Sequence, residues 1–232
     1  MINKRPAAAR GHADHGWLKT WHSFSFADYY DPAEMGWGPL RVINDDTVAP
    51  ATGFGRHGHR DMEIITYLLA GPLSHGDSMD NAAVIRRPEV QRMSAGSGVM
   101  HSEFNASADE VVHLLQIWIE PDVHGIAPEY EQKAFPDAAK RGRLLPIATP
   151  DGRDGSLAIH QRASIYATLL APGQAVTHAL APGRRAYVHV AGGAATLNGL
   201  ALAAGDGAKI KDESALTLAA TDDAEVLLFD LP

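Results

Sequence analysis

The segment EIITYLLAG, residues 63–71, is a short apolar run that ends at a glycine. Its length and its β-branched and aromatic side chains are typical of a strand rather than a helix. Similar runs of roughly five to nine residues recur along the chain, because glycines and prolines interrupt it. The sequence therefore predicts an all-β protein. The predicted strands are residues 40–44, 63–69, 111–119, 165–170, 187–190, 215–219 and 226–230.

Residues 126–150 are predicted to connect two halves of the chain. This segment holds the stretches with helical character, residues 129–135 and 137–141. Composition changes across it, since all four Trp, all six Met and nine of the twelve His precede it. We therefore expect an N-terminal domain at residues 1–125, a connection with short helices, and a C-terminal domain at residues 151–232. Any chemistry is expected in the first half.

A weak internal repeat supports this division. Residues 66–71, TYLLAG, resemble residues 186–192, AYVHVAG, as a strand that enters a glycine turn. Residues 93–98, MSAGSG, resemble residues 202–207, LAAGDG, as a tight turn that needs positive φ angles. The sequence thus favours two copies of one β-unit.

Composition excludes several classes of protein. A net charge of -8 argues against a nucleic-acid-binding surface. The N-terminal sequence MINKRPAAARGHADHG lacks the apolar core of a signal peptide, and no run reaches the length of a membrane span. We expect a cytoplasmic protein that binds no membrane. The absence of cysteine excludes disulfides and thiolate chemistry, so imidazole and carboxylate would have to hold any metal.

Two short clusters carry such ligands. His57 and His59 precede Glu63, and His101 lies two residues before Glu103. Side chains at i and i+2 of a strand point to the same face, so each pair could project inward from a barrel wall. Two pairs on neighbouring strands would make a four-ligand site with two octahedral positions left for a substrate oxygen, dioxygen or water. Either pair alone has little weight, because short motifs arise by chance.

The wider sequence around these clusters resembles the pirin family of the cupin superfamily. The spacing His57-x-His59-x3-Glu63 and the run Gly98-x2-His101-x3-Asn105 look like the two cupin metal motifs. Longer strings are similar to pirins over about the first 120 residues, and the later stretch looks like the second cupin domain of that family. The strings are WHSFSFADYY (residues 21–30), GPLRVINDD (38–46), GRHGHRDME (55–63) and MHSE (100–103).

Resemblance to pirins implies two tandem cupin (jelly-roll) β-barrels, with one metal ion in the N-terminal barrel. It also implies the ligands His57, His59, His101 and Glu103. The metal implied is Fe(II), although imidazole and carboxylate also suit Mn, Ni, Co, Cu or Zn. One departure from the family is Gly58, where pirins usually have proline between the first two histidines; it removes no ligand.

Glu63 competes with Glu103 as the carboxylate ligand. Strand parity places Glu63 on the same face as His59, and a typical cupin binds metal through the corresponding glutamate. Spacing alone leaves both open. The pirin pattern favours Glu103 and leaves Glu63 to orient a histidine.

The activity that the resemblance implies is that of a quercetin 2,3-dioxygenase. Such an enzyme opens a planar, flavonol-like substrate with O2 and releases carbon monoxide. Glu103 would then also accept the proton of the substrate's hydroxyl group. The alternative is a non-enzymatic regulator whose metal redox state controls binding of a protein partner, for which the sequence offers no motif. Extending the repeat places Thr177, Ala179, Ile210 and Asp212 opposite the four ligands, so the second barrel is expected to lack the site.

Other conspicuous residues have plainer interpretations. His12, His15 and His22 are expected at the surface, His75 in a hairpin loop, and His113 in the core with a hydrogen bond. The methionines Met62, Met93 and Met100 are expected to fill core gaps. Six aromatic residues would either line a pocket for a flat ligand or fill the barrel and its lid. They are Trp17, Trp21, Phe24, Phe26, Trp37 and Phe54.

Overall fold

A computed structural model describes residues 1–232, and strands dominate it, which confirms the all-β prediction. No helix has the length and apolar composition needed to cross a bilayer. The first strands are β1 (Ile2–Arg5), β2 (Gly11–Asp14), β3 (Leu18–His22), β4 (Leu40–Val48), β5 (Gly53–His59), β6 (Glu63–Ala70), β7 (Pro72–Asp77), β8 (Ala82–Arg86), β9 (Glu89–Ser94), β10 (Val99–Asn105), β11 (Val112–Ile119) and β12 (Glu129–Ala134). The later strands are β13 (Leu145–Thr149), β14 (Leu157–Ala158), β15 (Ser164–Leu170), β16 (Ala175–Ala179), β17 (Arg185–Gly192), β18 (Ala194–Leu197), β19 (Leu200–Ala203), β20 (Gly207–Lys211), β21 (Ala215–Ala220) and β22 (Ala224–Leu231).

One compact unit comprises Gly11–Ala134 together with Ile159–Gln161. It contains a seven-stranded sheet in the order β12-β9-β6-β11-β4-β3-β2 and a four-stranded sheet in the order β5-β10-β7-β8. Its buried apolar side chains include one cluster around Leu68, Leu73 and Ile85 and another around Met93. Strands of both sheets line the cavity described below, so the site lies inside this unit.

The other compact unit comprises Met1–Arg10, Phe135–Ala158 and Arg162–Pro232. Its sheets have the orders β1-β20-β17-β22-β15-β13-β14 and β16-β21-β18-β19. A single apolar cluster that includes Val188, Leu218 and Val226 fills its core. The strand order β15-β22-β17-β20 reproduces the order β4-β11-β6-β9 of the first unit, so the chain repeats one β-unit.

This strand order corrects the alignment of the repeat. The turn at residues 93–98 leads into β10, whereas the turn at residues 202–207 leads into β20, which occupies the position of β9. The counterpart of β10 is therefore β21. Where the first unit pairs His57 with His101, the second pairs Thr177 with Thr217. Ile210 and Asp212 are thus not the counterparts of His101 and Glu103.

The helix predicted at residues 129–135 is wrong, because Glu129–Ala134 is strand β12, which pairs with β9. Glu129 and Glu131 are two residues apart, so a strand directs both carboxylates to one face. There they accept hydrogen bonds from the buried guanidinium of Arg92, at 3.1 and 3.2 Å. The pairing partner lies in a distant strand, which the local sequence does not reveal. The short helix predicted at residues 137–141 is present as α1 (Asp137–Lys140).

The close approach of β5 to β10 requires a residue without a side chain. A Cβ atom added to Gly53 would overlap the main chain of Glu103 and Phe104. At Gly55, on the same strand, an added Cβ atom would have no other atom within 4 Å, and the residue has no positive φ angle.

We therefore expect Gly53→Ala to destabilise the protein by about 1 to 3 kcal/mol, because the two strands must separate. Urea unfolding measures the change. Gly55→Ala is the matched control and should leave the unfolding midpoint unchanged. Equal midpoints for the two variants would contradict the close packing of β5 on β10.

Candidate metal centre

Three imidazoles converge at one end of the cavity. His57 and His59 lie on β5 and His101 on β10, where His101 pairs directly with His57. The Nε2 atom of His101 lies 3.0 Å from Nε2 of His57 and 3.0 Å from Nε2 of His59. The i, i+2 alternation of β5 and the pairing with β10 thus bring together the three predicted histidines.

Their surroundings leave the ring nitrogens ready to bind a cation. The Nδ1–H group of His57 donates to the main-chain oxygen of Gly55 at 2.8 Å, which leaves Nε2 as the ring nitrogen that faces His101. Burial and the neighbouring His57 lower the pKa of His59 to about 4. Burial and the charges of His57 and His59 lower the pKa of His101 to about 3. Both rings are therefore neutral at neutral pH.

The spacing of these nitrogens fits a single metal ion. Imidazole nitrogens bind such ions at about 2.0 to 2.1 Å, so two ligands at a right angle are about 3.0 Å apart. The two observed separations match this value. The Nδ1 atom of His101 is buried and bonds to no protein group, unlike that of His57.

Glu103 lies beside His101 but not within the group of three histidines. Its carboxylate falls within 4.8 Å of the ligand atoms of His75 and His101, while His57, His59 and His101 form a separate group. Gln116 Nε2 donates to Oε2 at 3.0 Å, and Thr66 Oγ1 lies 3.4 Å from Oε1. Burial raises the pKa of Glu103 to about 7, and the nearby Asp46 adds to the shift.

Glu63 forms its hydrogen bond away from the three histidines. It is buried on β6, where Ser94 Oγ donates to its Oε2 atom at 2.8 Å. Burial raises its pKa, which Ser94, Arg92 and His160 partly offset. It belongs to neither group of potential metal ligands and makes no hydrogen bond to the three imidazoles.

His75 corrects a prediction, because it is a buried residue of β7 rather than part of a hairpin loop. Its Nε2–H group donates to Asp77 at 3.0 Å, and Gln91 Nε2 donates to its Nδ1 atom at 3.1 Å. The ring centroid lies 5.4 Å from that of His101. His75 and Asp77 are two residues apart in the sequence, a spacing that indicates two side chains on the same face of a strand. That face is the one directed at the site, because His75 pairs with Glu103 and Asp77 with His101.

A cavity of about 470 Å³ opens beside the histidines. Two aromatic pairs flank it: Trp118 packs edge-on against Phe26 and His59, and Trp17 packs edge-on against Phe54. Of the six aromatic residues singled out in the sequence, Trp17, Phe26 and Phe54 line the cavity, so half of that set forms a wall. Phe24 is a core residue, and Trp21 stacks on His12.

Several histidine and methionine positions also differ from expectation. His22 is buried because it lies on β3, an inner strand of the sheet, whereas His12 and His15 are exposed as predicted, with His15 at the cavity. His113 does form a hydrogen bond, to Asp45 at 2.7 Å, but its side chain is 36% exposed rather than buried. Met93 fills the core as predicted, whereas Met100 is largely exposed on the outer face of β10.

A row of polar side chains crosses the inner face of the large sheet below the cavity. Strand register aligns the five residues across β3, β4, β11, β6 and β9. His22 donates to Asn44 at 2.8 Å, and Thr66 donates to Gln116 at 2.9 Å. Buried polar groups need such partners. Gln116 and Thr66 of this row contact Glu103, and Gln91 contacts His75, so the row orients both side chains. Its members are His22, Asn44, Gln116, Thr66 and Gln91.

The fold and the site agree with comparisons to known proteins. The profile of the Pirin family matches residues 3–119, and that of the quercetinase C-terminal cupin domain matches residues 146–231. A quercetin 2,3-dioxygenase of Escherichia coli K12 is 50% identical over all of this chain and 99% of its own.

Two crystal structures of YhhW from Escherichia coli are similar throughout. The first has a TM-score of 0.97 at 49% identity and covers 100% of this chain and 98% of its own. The second is that of bacterial pirin YhhW in complex with nickel(II). It has a TM-score of 0.96 at 48% identity and covers 100% of this chain and 99% of its own. The prediction of two tandem cupin barrels is confirmed. The chain belongs to the pirin family.

Proposed function

We propose that this protein is a mononuclear metal-dependent dioxygenase that opens the ring of a flavonol-like substrate with O2 and releases carbon monoxide. The observation that carries this proposal is the convergence of three imidazoles beside an aromatic cavity. The identity to a relative named quercetin 2,3-dioxygenase supports the same oxidoreductase class.

The proposed ligands are His57, His59 and His101, with Glu103 as the fourth. Nitrogen and carboxylate donors suit Fe(II), which we propose as the native ion, and the nickel(II) complex of YhhW supports a divalent cation at such a site. When bound, the ion would supply Lewis acidity toward a substrate hydroxyl and redox chemistry toward dioxygen. The protein fixes the geometry, because pairing of β5 with β10 sets the separations of the nitrogens.

Glu103 is the proposed proton acceptor. A carboxylate whose pKa lies near 7 takes a hydroxyl proton efficiently at neutral pH and returns it readily. Gln116 donates to Oε2 of Glu103, and Thr66, which donates to Gln116, lies 3.4 Å from Oε1, so the pair orients the carboxylate within the site. These two residues are positioning residues rather than catalytic ones.

The cavity supplies the binding surface. Its volume of about 470 Å³ lies in the range of small-molecule sites, and flat aromatic walls favour a planar ring system. Trp118 contacts both Phe26 and His59, so a ring held by this wall lies next to the histidines. Binding there would also exclude water from the carboxylate of Glu103.

The direct test follows the loss of quercetin absorbance in air. The protein is stripped of metal and then reloaded with Fe(II), Mn(II), Ni(II), Co(II) or Cu(II). Turnover only after reloading is the expected result, and the most active ion identifies the competent metal. Stoichiometric metal binding without turnover for any ion would overturn the flavonol proposal.

We expect His101→Ala to lower metal affinity and quercetin turnover by about two orders of magnitude or more, because the central nitrogen of the cluster is lost. Metal content after dialysis and the initial rate measure the two effects. His124→Ala is the matched control, since His124 is an exposed histidine near Asp61. Full metal occupancy in the His101 variant would contradict the proposed ligand set.

Glu103→Gln separates proton transfer from metal binding. The amide keeps the side-chain volume but cannot accept the substrate's proton, so turnover should fall by about 10² to 10⁴. Three imidazoles remain, and metal content should stay measurable. A rate within tenfold of the wild type, at equal metal content, would rule out Glu103 as the base.

In the metal-free protein, Glu103 should contribute stability that is lost as pH rises from about 4.5 to 7. Folded Glu103 keeps its proton up to about pH 7, whereas the unfolded chain releases it near 4.5. The native state therefore binds more protons in this window, and the contribution of Glu103, about 3 kcal/mol, is present below pH 4.5 and lost above pH 7. His59 and His101 act in the opposite direction, since their lowered pKa values favour the fold as pH rises to 6.5.

Urea unfolding with a chelator present, at pH 5 and pH 8, measures this dependence. The difference between wild type and Glu103→Gln isolates the carboxyl group, because both proteins share the histidines. Relative to the wild type, the variant should become more stable as pH rises from 5 to 8, because it lacks the contribution of Glu103 that is lost over this range. Identical changes in the two proteins would contradict the raised pKa.

A further inference from the structure

Asp46 is a buried carboxyl group in the cavity wall that the proposed reaction leaves unused. It lies on β4 opposite Thr20 of β3, and its side chain is 4% exposed. Thr20 provides one hydrogen bond to the carboxyl group. The Oδ1 atom is buried and accepts no hydrogen bond from any protein group. Asp46 lines the cavity together with Glu103 and Gln116.

Its polar neighbours are already paired with one another. His22 is bonded to Asn44, and Gln116 is bonded to Thr66 and Glu103. Among the polar residues that line the cavity, Asp46 is therefore the one that keeps a buried acceptor atom without a protein donor.

The fold does not require a carboxyl group here. The inward-facing positions of β4 before and after the polar pair are Val42 and Val48, both buried. A valine or leucine at position 46 would continue this pattern without a buried acceptor. A carboxyl oxygen left without a donor destabilises a fold, so its presence in a ligand cavity points to a donor on the ligand.

We propose that Asp46 is a specificity-determining residue, whose Oδ1 atom accepts a hydrogen bond from a phenolic hydroxyl group of the substrate other than the one that reacts. The site would then select planar aromatic compounds that carry additional hydroxyl groups, over those with the reacting hydroxyl alone. This proposal rests on the proposed function, because it assigns the substrate class of the same cavity. A site built to bond a hydroxyl group rejects the analogue that lacks it, since the buried acceptor then stays unpaired.

The test compares two ligands and three proteins. Quercetin carries several phenolic hydroxyl groups, whereas 3-hydroxyflavone has the same ring system with only the reacting one. Dissociation constants from quenching of tryptophan fluorescence, and kcat/KM for both compounds, are measured on metal-loaded wild type, Asp46→Leu and Asp46→Asn. The binding measurement does not depend on turnover.

Wild type should prefer quercetin by tenfold or more, and Asp46→Leu should lose most of that preference. Asp46→Asn keeps an acceptor oxygen and should retain at least a third of it. The ratio between ligands is the decisive quantity, because the charge of Asp46 also raises the pKa of Glu103. That effect changes both ligands equally and cancels in the ratio.

Asp45→Leu and Asp45→Asn are the matched controls. Asp45 lies on the same strand but bonds to His113 on the opposite face of the sheet. Both variants should keep the wild-type preference.

A stability measurement adds an independent readout. Asp46→Leu removes a buried acceptor without a donor, so its thermal midpoint in the metal-free state should be equal to or higher than that of wild type. A midpoint more than about 5 °C lower would indicate a structural role and overturn the proposal.

The outcomes separate this proposal from the proposed function. Tight, discriminating binding of quercetin without turnover would reject the dioxygenase and keep the role of Asp46. Turnover of both compounds with an unchanged ratio in Asp46→Leu would reject the role of Asp46 and keep the dioxygenase. Failure of wild type to bind either compound would reject both.

Discussion

The convergence of three imidazole nitrogens at 3.0 Å is the constraint on which the rest of the site depends. It arises because β5 and β10 are antiparallel neighbours and His57 pairs with His101 across them. Strand alternation then adds His59 to the same face. A shift of one residue in this register would turn His101 away from the others, so the glycine contact between Gly53 and β10 serves the site as well as the fold.

A second set of contacts orients the carboxylate of Glu103. Glu103 follows His101 by two residues, but a register irregularity between them displaces it from the three histidines. Its oxygens turn toward Gln116 and Thr66, which belong to the large sheet. The two sheets of the unit therefore have different roles. The small sheet supplies the three imidazoles, and the large sheet orients Glu103, the proposed acceptor of the substrate's proton.

Much of this architecture was accessible from the sequence, and the failures have physical causes. Apolar runs predicted strands such as β6 and β11 because a strand that is largely buried on both faces has a nearly continuous apolar sequence. The helix at residues 129–135 failed because the partner of Glu129 and Glu131 is Arg92, which lies in another strand. His22 and His75 were missed for the same reason: each is held by a residue distant in sequence, Asn44 on the neighbouring strand β4 and Gln91 on β9 of the other sheet. A local sequence pattern does not reveal which distant strands pair or pack against each other.

The repeated β-unit shows what the fold itself demands. The second unit repeats the strand order of the first, yet a threonine pair, Thr177 and Thr217, occupies the position of His57 and His101. Its interior is filled by one apolar cluster instead of a polar row. The same topology thus folds with an apolar cluster in place of the polar row, although His189, Lys209 and Asp230 are buried outside that cluster. Buried imidazoles and carboxyl groups in the first unit are therefore not needed for the topology, and their desolvation works against stability. Residues that destabilise a fold and lie together in one cavity are best explained by what they bind.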